Sequence, residues 1–430
     1  MPLSAAAPAP RFFHGYVMLG VAMMMAVAST PGQSILVSVF NDSIRADLGI
    51  SVATISVCYA VGTISAAFPL PLVGRLADRF GLRVVVGLVT LAFAGGLLLL
   101  SRAAGVVTLT LGFFLVRLLG QGSLGMLSGH TLAMWFERAL GRMDAIKTLG
   151  FAIGGAVLPT PTLWLIGVVG WRTALPILAA GVVALLVPLV LTVFRNKPED
   201  IGQHLDGDPV EHTTHDVLHG GEPPPGDPAF TLREAMARRA YWILVCCAAW
   251  LGVVGTAGLF HMQPMLESAG ADPSDANKAI APFPITAAIF TLLGGVLIDR
   301  FPPHKLLPIG PLLCTVASLV WLGAMHEGIN APPVASMGLG MGLCGVAHGI
   351  GMSAANPTLA RYFGRTHHGA IRGVMGMMIV GATGLGPIAA GAAYEWSGGT
   401  FVEVVIAFAG AGVPLTLAAL MLRRPRAPVR

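Results

Sequence analysis

The chain has 430 residues, of which 55% are hydrophobic and only 11% charged, with a mean hydropathy of +0.76. A soluble domain carries about 25% charged residues, so this composition excludes an ordinary soluble enzyme and favours a chain that faces lipid or packs inside a bundle. The net charge of +5 gives no reason to expect a nucleic-acid partner. The five cysteines all fall in apolar stretches, with neither the spacing of a metal site nor that of a disulfide framework.

Stretches of about 20 apolar residues predict membrane helices. Twelve such spans follow one another, at about 14–40, 52–73, 83–101, 105–135, 145–168, 173–194, 240–265, 277–298, 305–325, 332–358, 369–394 and 400–422. The predicted fold class is therefore an all-α membrane protein. The first span is too long for the apolar region of a signal peptide, so we expect it to be retained.

A repeat of about 226 residues relates the two hydrophobic halves. Asp78-Arg79-Phe80 is matched by Asp299-Arg300-Phe301, and Gln121 is matched by His348. The repeat predicts two pseudo-symmetric six-helix bundles at 1–194 and 240–430, joined by a linker at 195–239. Bundles duplicated in this way enclose a site near the bilayer midplane and work by rocking against each other, which indicates a transporter.

Cationic residues predict the orientation, because cytoplasmic loops carry an excess of Lys and Arg. With both termini in the cytoplasm, the opposite loops hold only Arg45, Arg102, Arg172 and Lys278 of the 26 Lys and Arg residues. The linker, rich in Pro, Gly, Asp, Glu and His, is predicted to be cytoplasmic, with a short amphipathic helix near 231–239. His212, His215 and His219 could line one helix face and hold a metal ion, but a solvated linker without metal is the favoured interpretation.

Six motifs resemble those of a known transporter family. The superfamily signatures are Gly74–Arg83 after span 2, Arg117–Gly122 in span 4 and Gly170-Trp171-Arg172 before span 6. The motifs of one branch are Pro31-Gly32-Gln33, Asn196–Gly202 and Ala360–Arg365. Together they resemble the major facilitator superfamily, in the branch of bacterial monocarboxylate transporters and the oxalate/formate antiporter. This resemblance implies the major facilitator fold and a multi-pass protein of the bacterial inner membrane.

The loop signature predicts a conformational switch. An Asp beside a helix start favours its positive dipole end, and neighbouring arginines can pair with the carboxylate. The resemblance implies that this cluster ties helix ends together in one conformation and releases them in the other, through Asp78 with Arg75, Arg79 and Arg83. In the second copy Asp299-Arg300 is kept, but Pro302-Pro303 replaces the glycine, so we expect a weaker clamp there.

Arg117 is the most informative single residue. It lies about 16 Å down span 4 at 1.5 Å per residue, and an arginine at that depth costs about 2.5–3.5 kcal/mol on insertion scales. We expect no carboxylate well inside any span to neutralise it. Either Arg117 attracts an anionic substrate, or it bonds backbone carbonyls and polar groups of span 1 such as Gln33.

Other polar residues complete the predicted substrate site. Gln121 shares a helix face with Arg117, and His348 takes the matching place in the second half, where it could bind a proton near neutral pH. Pro31 and Gly32 are expected to break span 1 and to present Gln33 and Ser34 to a carboxylate. His261 is a candidate entry residue and Tyr59 a candidate cavity aromatic, with core packing as the alternative for each.

Glycines and a proline in spans 5 and 11 are expected to allow close helix approach and bending. The residues that carry this expectation are Gly154, Gly381, Gly386 and Pro387.

The sequence therefore favours a secondary active transporter that moves a small organic anion, a monocarboxylate by resemblance, by alternating access. Spans 8 and 11 lack the cation pair that a dianion needs, which argues against oxalate. Efflux of hydrophobic or cationic compounds is the alternative, and a membrane sensor or membrane enzyme is a third. We expect a monomer in the lipid bilayer, with protons as a candidate coupling ion and without cofactor, metal or catalytic residues.

Overall fold

The computed structural model describes residues 12–207, 230–326, 332–397 and 400–426. Within these residues, twelve helices are long and apolar enough to cross a membrane. Spans 1 to 6 are Gly15–Asn41, Val57–Phe80, Leu82–Ser101, Val106–Trp135, Leu140–Val169 and Trp171–Thr192. Spans 7 to 12 are Arg239–Ser268, Pro273–Arg300, Pro303–Met325, Pro333–Phe363, His368–Gly391 and Val402–Leu420. The predicted all-α architecture with twelve spans is confirmed.

One end of the bundle gathers the beginning of span 1, the end of span 12 and both ends of the linker. The Gln203 side chain donates to the Phe12 carbonyl and accepts from the His14 N–H, at 2.9 and 3.0 Å. Beyond the linker, the Phe230 N–H donates to the Phe363 carbonyl at 3.2 Å. We call this end the terminal face and the other end the opposite face.

The linker has short helices at its two described ends. Pro198–Ile201 and Leu205–Gly207 are 3-10 turns, and Leu232–Met236 is an α-helix. The Thr231 hydroxyl accepts from the Glu234 N–H and the Glu234 carboxylate accepts from the Thr231 N–H, which is a capping box. His212, His215 and His219 lie outside the described residues.

Span 1 is interrupted near its middle. The helix Gly15–Ala28 gives way to a 3-10 turn at Thr30–Gly32, and the helix resumes at Ser34–Leu48 after an extended residue, Gln33. Pro31 has no N–H for the helical ladder, so the break falls where the ladder is already incomplete. A Cβ on Gly32 would lie 2.6 Å from the Val116 carbonyl oxygen, so only glycine lets the broken segment touch span 4.

Span 4 contains a wider helical turn that was not predicted. Residues Arg117–Leu124 form a π-helix between the α-helices Val106–Val116 and Gly125–Trp135. Such turns are uncommon and often mark functional positions. Arg117 and Gln121 both lie in this turn, directly opposite the break in span 1.

Spans 7 and 11 differ from expectation. Span 7 leaves helical geometry at His261, with φ −109° and ψ 15°, three residues before Pro264. Span 11 is one helix from His368 to Trp396 that runs through Pro387. The expected close approach at Gly381 is wrong, because a Cβ there would meet nothing within 4 Å. The bend in this half lies in span 7, at His261. Span 7 is the counterpart of span 1 in the repeat.

Other glycines in these spans do pack closely. A Cβ on Gly386 would lie 2.7 Å from the Val253 carbonyl oxygen of span 7, and one on Gly154 would overlap the Thr30 hydroxyl of span 1. Both glycines hold spans of the same half together, as small residues do in membrane bundles.

The two halves meet through paired glycines near the terminal face. A Cβ on Gly74 of span 2 would overlap the Gly369 carbonyl of span 11, and one on Gly141 of span 5 would lie 2.6 Å from the Gly295 carbonyl of span 8. Farther along, Gly384 still packs against Ile64. Beyond that contact Val61 and Ile388 are exposed, so the halves touch from the terminal face to about mid-depth.

Replacing Gly74 by alanine should push the two halves apart at the terminal face. Overpacking of a tight contact costs about 1–3 kcal/mol, which lowers the ratio of closed to open molecules about 5- to 150-fold. Distances between spin labels on cysteines at Glu137 and Phe301, exposed on opposite halves, report this ratio. Gly95→Ala is the matched control, because a Cβ there meets nothing within 4 Å; equal distances in both variants would contradict the packing argument.

Candidate functional site

Arg117 is held by acceptors from two neighbouring spans. Its Nε donates to the Thr63 hydroxyl at 3.1 Å, and its Nη1 donates to the Gly32 carbonyl at 3.1 Å and to the Ser34 hydroxyl at 3.2 Å. The residue is 6% exposed. Two of these acceptors flank the extended residue Gln33, so the break in span 1 supplies the polar groups that a buried guanidinium requires.

Tyr59 joins this network from span 2. The Arg117 Cζ lies 5.0 Å from the centre of the Tyr59 ring, and the Tyr59 hydroxyl donates to Ser34 at 2.7 Å. Gln33 does not bond Arg117, since its amide donates to the Ser29 hydroxyl at 3.2 Å. Arg117 therefore bonds a backbone carbonyl and a polar group of span 1, as one of the two alternatives expected, but Gln33 is not among its partners.

Two polar groups of this site are left without a protein partner. Arg117 Nη2 has no hydrogen bond to any described residue, and the buried Gln121 Oε1 has none either. Both residues line a cavity of about 10 Å³, which is the space one water needs. The lining residues are Thr63, Ala66, Leu70, Arg117, Gln121, Gly122 and Val380. Every polar side chain in this set comes from the first half.

His348 and His261 lie outside the lining of this cavity. The half-buried His348 packs in the second half, with its ring 6.1 Å from that of Phe283. His261 Nε2 is 2.9 Å from the Pro387 carbonyl oxygen, and its ring is 5.2 Å from that of Phe401. His261 therefore ties the bend of span 7 to span 11.

A carboxylate and a lysine are buried about one turn inside the start of span 5, where the sequence predicted no membrane helix. Asp144 is 6% exposed, and its Oδ1 lies 2.7 Å from the Nζ of Lys147, itself 3% exposed. Arg372 of span 11 is also buried, and its charge acts on Asp144 from the other half. The predicted span began at 145, whereas the helix begins at Leu140. The spacing of Asp144 and Lys147 by three residues was the available signal.

Asp78 crosses from the first half to cap a helix of the second. Its carboxylate accepts from the Gly369 and Ala370 N–H groups in the first turn of span 11, both at 2.8 Å. Carboxylates are stabilised at a helix N-terminus by unpaired N–H groups and by the dipole. This contact stabilises the conformation in which the terminal face is closed.

The arginines near Asp78 do not pair with it, contrary to expectation. Arg75 and Arg79 are exposed, and Arg79 packs over the Phe80 ring at 5.3 Å. Arg83 donates to the Val190 and Leu191 carbonyls of span 6 within the same half. Of these four side chains, Asp78 is the one whose hydrogen bonds reach span 11.

Asp299 makes the matching cap in the opposite direction. It accepts from the Gly141 and Arg142 N–H groups of span 5, both at 2.9 Å, and from Arg142 Nε at 3.2 Å. Arg361 Nη2 adds a fourth bond at 2.7 Å. Asp299 accepts at least as many hydrogen bonds from the other half as Asp78 does, so the expectation of a weaker second clamp was wrong for these bonds. Asp299 lies inside its helix and does not depend on the missing glycine, while the adjacent Arg300 is exposed and remains a predicted switch residue.

Arg361 and Arg365 extend the joint from the second half. Arg361 Nη2 donates to the Glu137 and Arg138 carbonyls at 3.0 and 3.1 Å. Arg365 donates to the Met134 carbonyl at 3.0 Å and to Glu199 of the linker at 3.0 Å. The two caps and these arginines close the terminal face with directional polar contacts that water can replace on separation.

The family model of the Major Facilitator Superfamily matches residues 17–265 and 242–430. The chain belongs to this superfamily, and it is a membrane transporter of that family.

Two curated relatives share part of this sequence. MFS-type transporter 1 of Ophiocordyceps sp. is 25% identical over 268 residues, 60% of this chain and 52% of that protein. The uncharacterized MFS-type transporter YhjX of Escherichia coli is 22% identical over 294 residues, 67% of this chain and 66% of that protein. The chain thus matches about half to two thirds of the length of these relatives.

Solved structures share the fold. The proton:xylose symporter XylE matches with a TM-score of 0.69 and 16% identity, covering 94% of each chain. The human organic anion transporter MFSD10 matches with a TM-score of 0.61 and 15% identity, covering 94% of this chain and 99% of that one. At these identities the comparison establishes the architecture alone.

Removing either cap carboxylate should favour the open terminal face, and Asp299→Asn should have the larger effect. Hydrogen bonds to a charged group contribute about 1.5–3 kcal/mol, and Asp299 accepts three bonds from the other half whereas Asp78 accepts two. The distance between labels at Glu137 and Phe301 measures the shift. Asp47→Asn is the control, since Asp47 pairs with Arg172 within the first half at 2.8 Å; a shift of the same size there would refute the role of the caps.

Proposed function

We propose that this protein is a secondary active transporter that moves a small organic anion, a monocarboxylate, across the membrane by alternating access. One observation carries the proposal: Arg117 is buried at mid-span with an unpartnered Nη2, beside a cavity whose lining contains no carboxylate. A cation in that setting attracts an anion more strongly than it would in water.

The arrangement around Arg117 suits one carboxylate group. The contacts with Thr63, Gly32 and Ser34 fix the guanidinium, which leaves its remaining N–H groups pre-oriented. Because these bonds use Nε and both N–H groups of Nη1, a substrate carboxylate would accept charge-assisted hydrogen bonds from Nη2. Ser34 and Ile35 are exposed beyond the break in span 1, so we propose that the substrate arrives from the opposite face and meets Ser34 and Tyr59 first.

The charge balance supports a monoanion over a dianion. Lys147 and Arg372 already act on Asp144. These three groups lie outside the lining of the mid-span cavity, whose one charged residue is Arg117. A dianion would leave one of its charges buried without a partner, which is costly in an apolar bundle.

We further propose that the terminal face lies in the cytoplasm and that the protein resides as a monomer in the bacterial inner membrane. The excess of Lys and Arg at that face supports this orientation. In it, the described conformation is closed to the cytoplasm. Protons are the proposed coupling ion, with His348 as the candidate proton carrier, and two structures that share the fold, XylE and FucP, are named as proton symporters.

Efflux of hydrophobic compounds is the second candidate. It is favoured by exposed aliphatic side chains between the two halves on the side of the opposite face, where Val61 is 49% and Ile388 56% exposed. A cationic compound would be repelled by Arg117, and the cavity lining contains no carboxylate to offset that repulsion. Neutral hydrophobic solutes therefore fit this alternative better.

Arg117→Gln should abolish uptake of the anion into proteoliposomes while the protein stays folded and monodisperse. Losing a charge-assisted pair of hydrogen bonds costs about 1.5–3 kcal/mol or more, a fall in affinity of about 10- to 150-fold. The glutamine still reaches part of the acceptor set, which protects the fold. Uptake of radiolabelled monocarboxylates measures the effect.

Two controls separate binding from structure. Arg172→Gln removes a half-exposed cation that pairs with Asp47 away from the site, and should leave uptake unchanged. Thr63→Val removes one acceptor of Arg117 but keeps its charge, and should weaken uptake less than Arg117→Gln does. Wild-type uptake by a folded Arg117→Gln variant would remove Arg117 from the mechanism.

A further inference from the structure

Two buried histidines meet across the joint between the halves, and the transport mechanism above does not use them. His130 lies in span 4 and His368 begins span 11, with exposures of 2% and 0%. Their rings are 5.1 Å apart in an edge-to-face arrangement. Because the two side chains belong to different halves, they separate when the terminal face opens.

Both imidazoles lack hydrogen-bond partners in this conformation. His130 Nδ1 and both nitrogens of His368 are buried without a partner, and His130 Nε2 lies 3.7 Å from Asp78 Oδ1. Leaving a buried polar atom unpaired costs about 1–3 kcal/mol. In the closed joint the unpaired nitrogens of these histidines therefore cost free energy that no hydrogen bond of theirs offsets.

Charged groups lie close to the pair. Arg372 of span 11 acts on both imidazoles, and Asp78 of span 2 lies beside His130. Arg372 in turn interacts with Asp144 and Lys147 of span 5. The cavity beside His130 is also lined by charged residues of the linker and of the loop after span 10, which are Lys197, Glu199, Asp200 and Arg365. The charge that acts on both imidazoles is therefore the positive charge of Arg372. Any proton bound by the pair therefore adds net positive charge to the closed joint.

A cavity at the terminal face extends to His130. A cavity of about 500 Å³ lies between the linker and the joint. Its polar lining includes Asp78, His130, Lys197, Glu199, Asp200 and Arg365. Protons from the compartment at the terminal face thus have a route to His130.

Protonation weakens the closed joint in two ways. A positive His130 competes with the Gly369 N–H for Asp78 Oδ1, the atom that caps span 11. A positive His368 lies at the N-terminus of span 11, where the helix dipole repels a cation, one turn from Arg372. After the halves separate, both side chains face water and bind protons as ordinary histidines do.

We propose that His130 and His368 form a proton-binding site, with Asp78 as the clamp it acts on, that opens the terminal face when the compartment there becomes acidic. This proposal depends on alternating access but not on which substrate is transported. Its test therefore uses no substrate, and it can fail while the anion proposal stands, or the reverse.

The test follows the terminal face directly. Protein in lipid nanodiscs carries spin labels on cysteines at Glu137 and Phe301, with the native cysteines replaced by alanine, and distances are measured from pH 8 to 5.5. With a pKa of about 6.5 for each released histidine, the ratio of open to closed molecules should rise about tenfold per histidine between pH 7.5 and 5.5.

Substitutions of single histidines test which of them cause the pH response. The double variant His130→Gln/His368→Gln should lose most of the pH response, and each single variant should lose about half of it on a logarithmic scale. His204→Gln, which changes an exposed histidine of the linker at the same face, should keep the wild-type response. If the double variant does not fold, the two single variants are used to test the proposal. A full response without either histidine, no response in wild type, or closure at low pH would overturn the proposal.

Discussion

The burial of one guanidinium near the middle of the membrane constrains the rest of this structure. Arg117 needs acceptors that an unbroken helix cannot offer, because the backbone carbonyls of such a helix are already paired. The break in span 1 frees the Gly32 carbonyl and positions Ser34, while the missing Cβ of Gly32 lets the two spans touch. The break and the arginine therefore stabilise each other, and the site between the halves is fixed on the first half alone.

A second constraint acts where the halves meet. Asp78 of the first half caps span 11 and Asp299 of the second half caps span 5, so each half completes a helix N-terminus of the other. These bonds are directional and can be replaced by water, and the glycines beside them allow contact without interlocking side chains. Such a joint closes firmly yet separates without breaking either core, which is the physical requirement for alternating access. In the proposed mechanism, the first half holds Arg117, the cation that binds the substrate, and the second half moves against it.

The sequence was enough to predict the twelve spans and the burial of Arg117 within span 4, because hydropathy and the cost of burying a charge are local properties of the chain. It did not reveal Asp144 as a buried group, because a carboxylate one turn inside a helix start looks the same as one in a loop. The meeting of His130 with His368 and the fourth bond of Asp299 depend on how spans far apart in sequence are packed together. The π-turn at Arg117 has no compositional mark at all.

The central claim is that Arg117 gives this transporter an anion site, and one measurement tests it most directly. Thermal unfolding of the detergent-purified wild-type protein is followed against a panel of small monocarboxylates, matched dicarboxylates and lipophilic cations, because a ligand that binds only the folded state raises the apparent melting temperature. The account predicts stabilisation by at least one monocarboxylate and a smaller effect of its dicarboxylate counterpart. Stabilisation by lipophilic cations alone would contradict it and would reduce Arg117 to a structural residue.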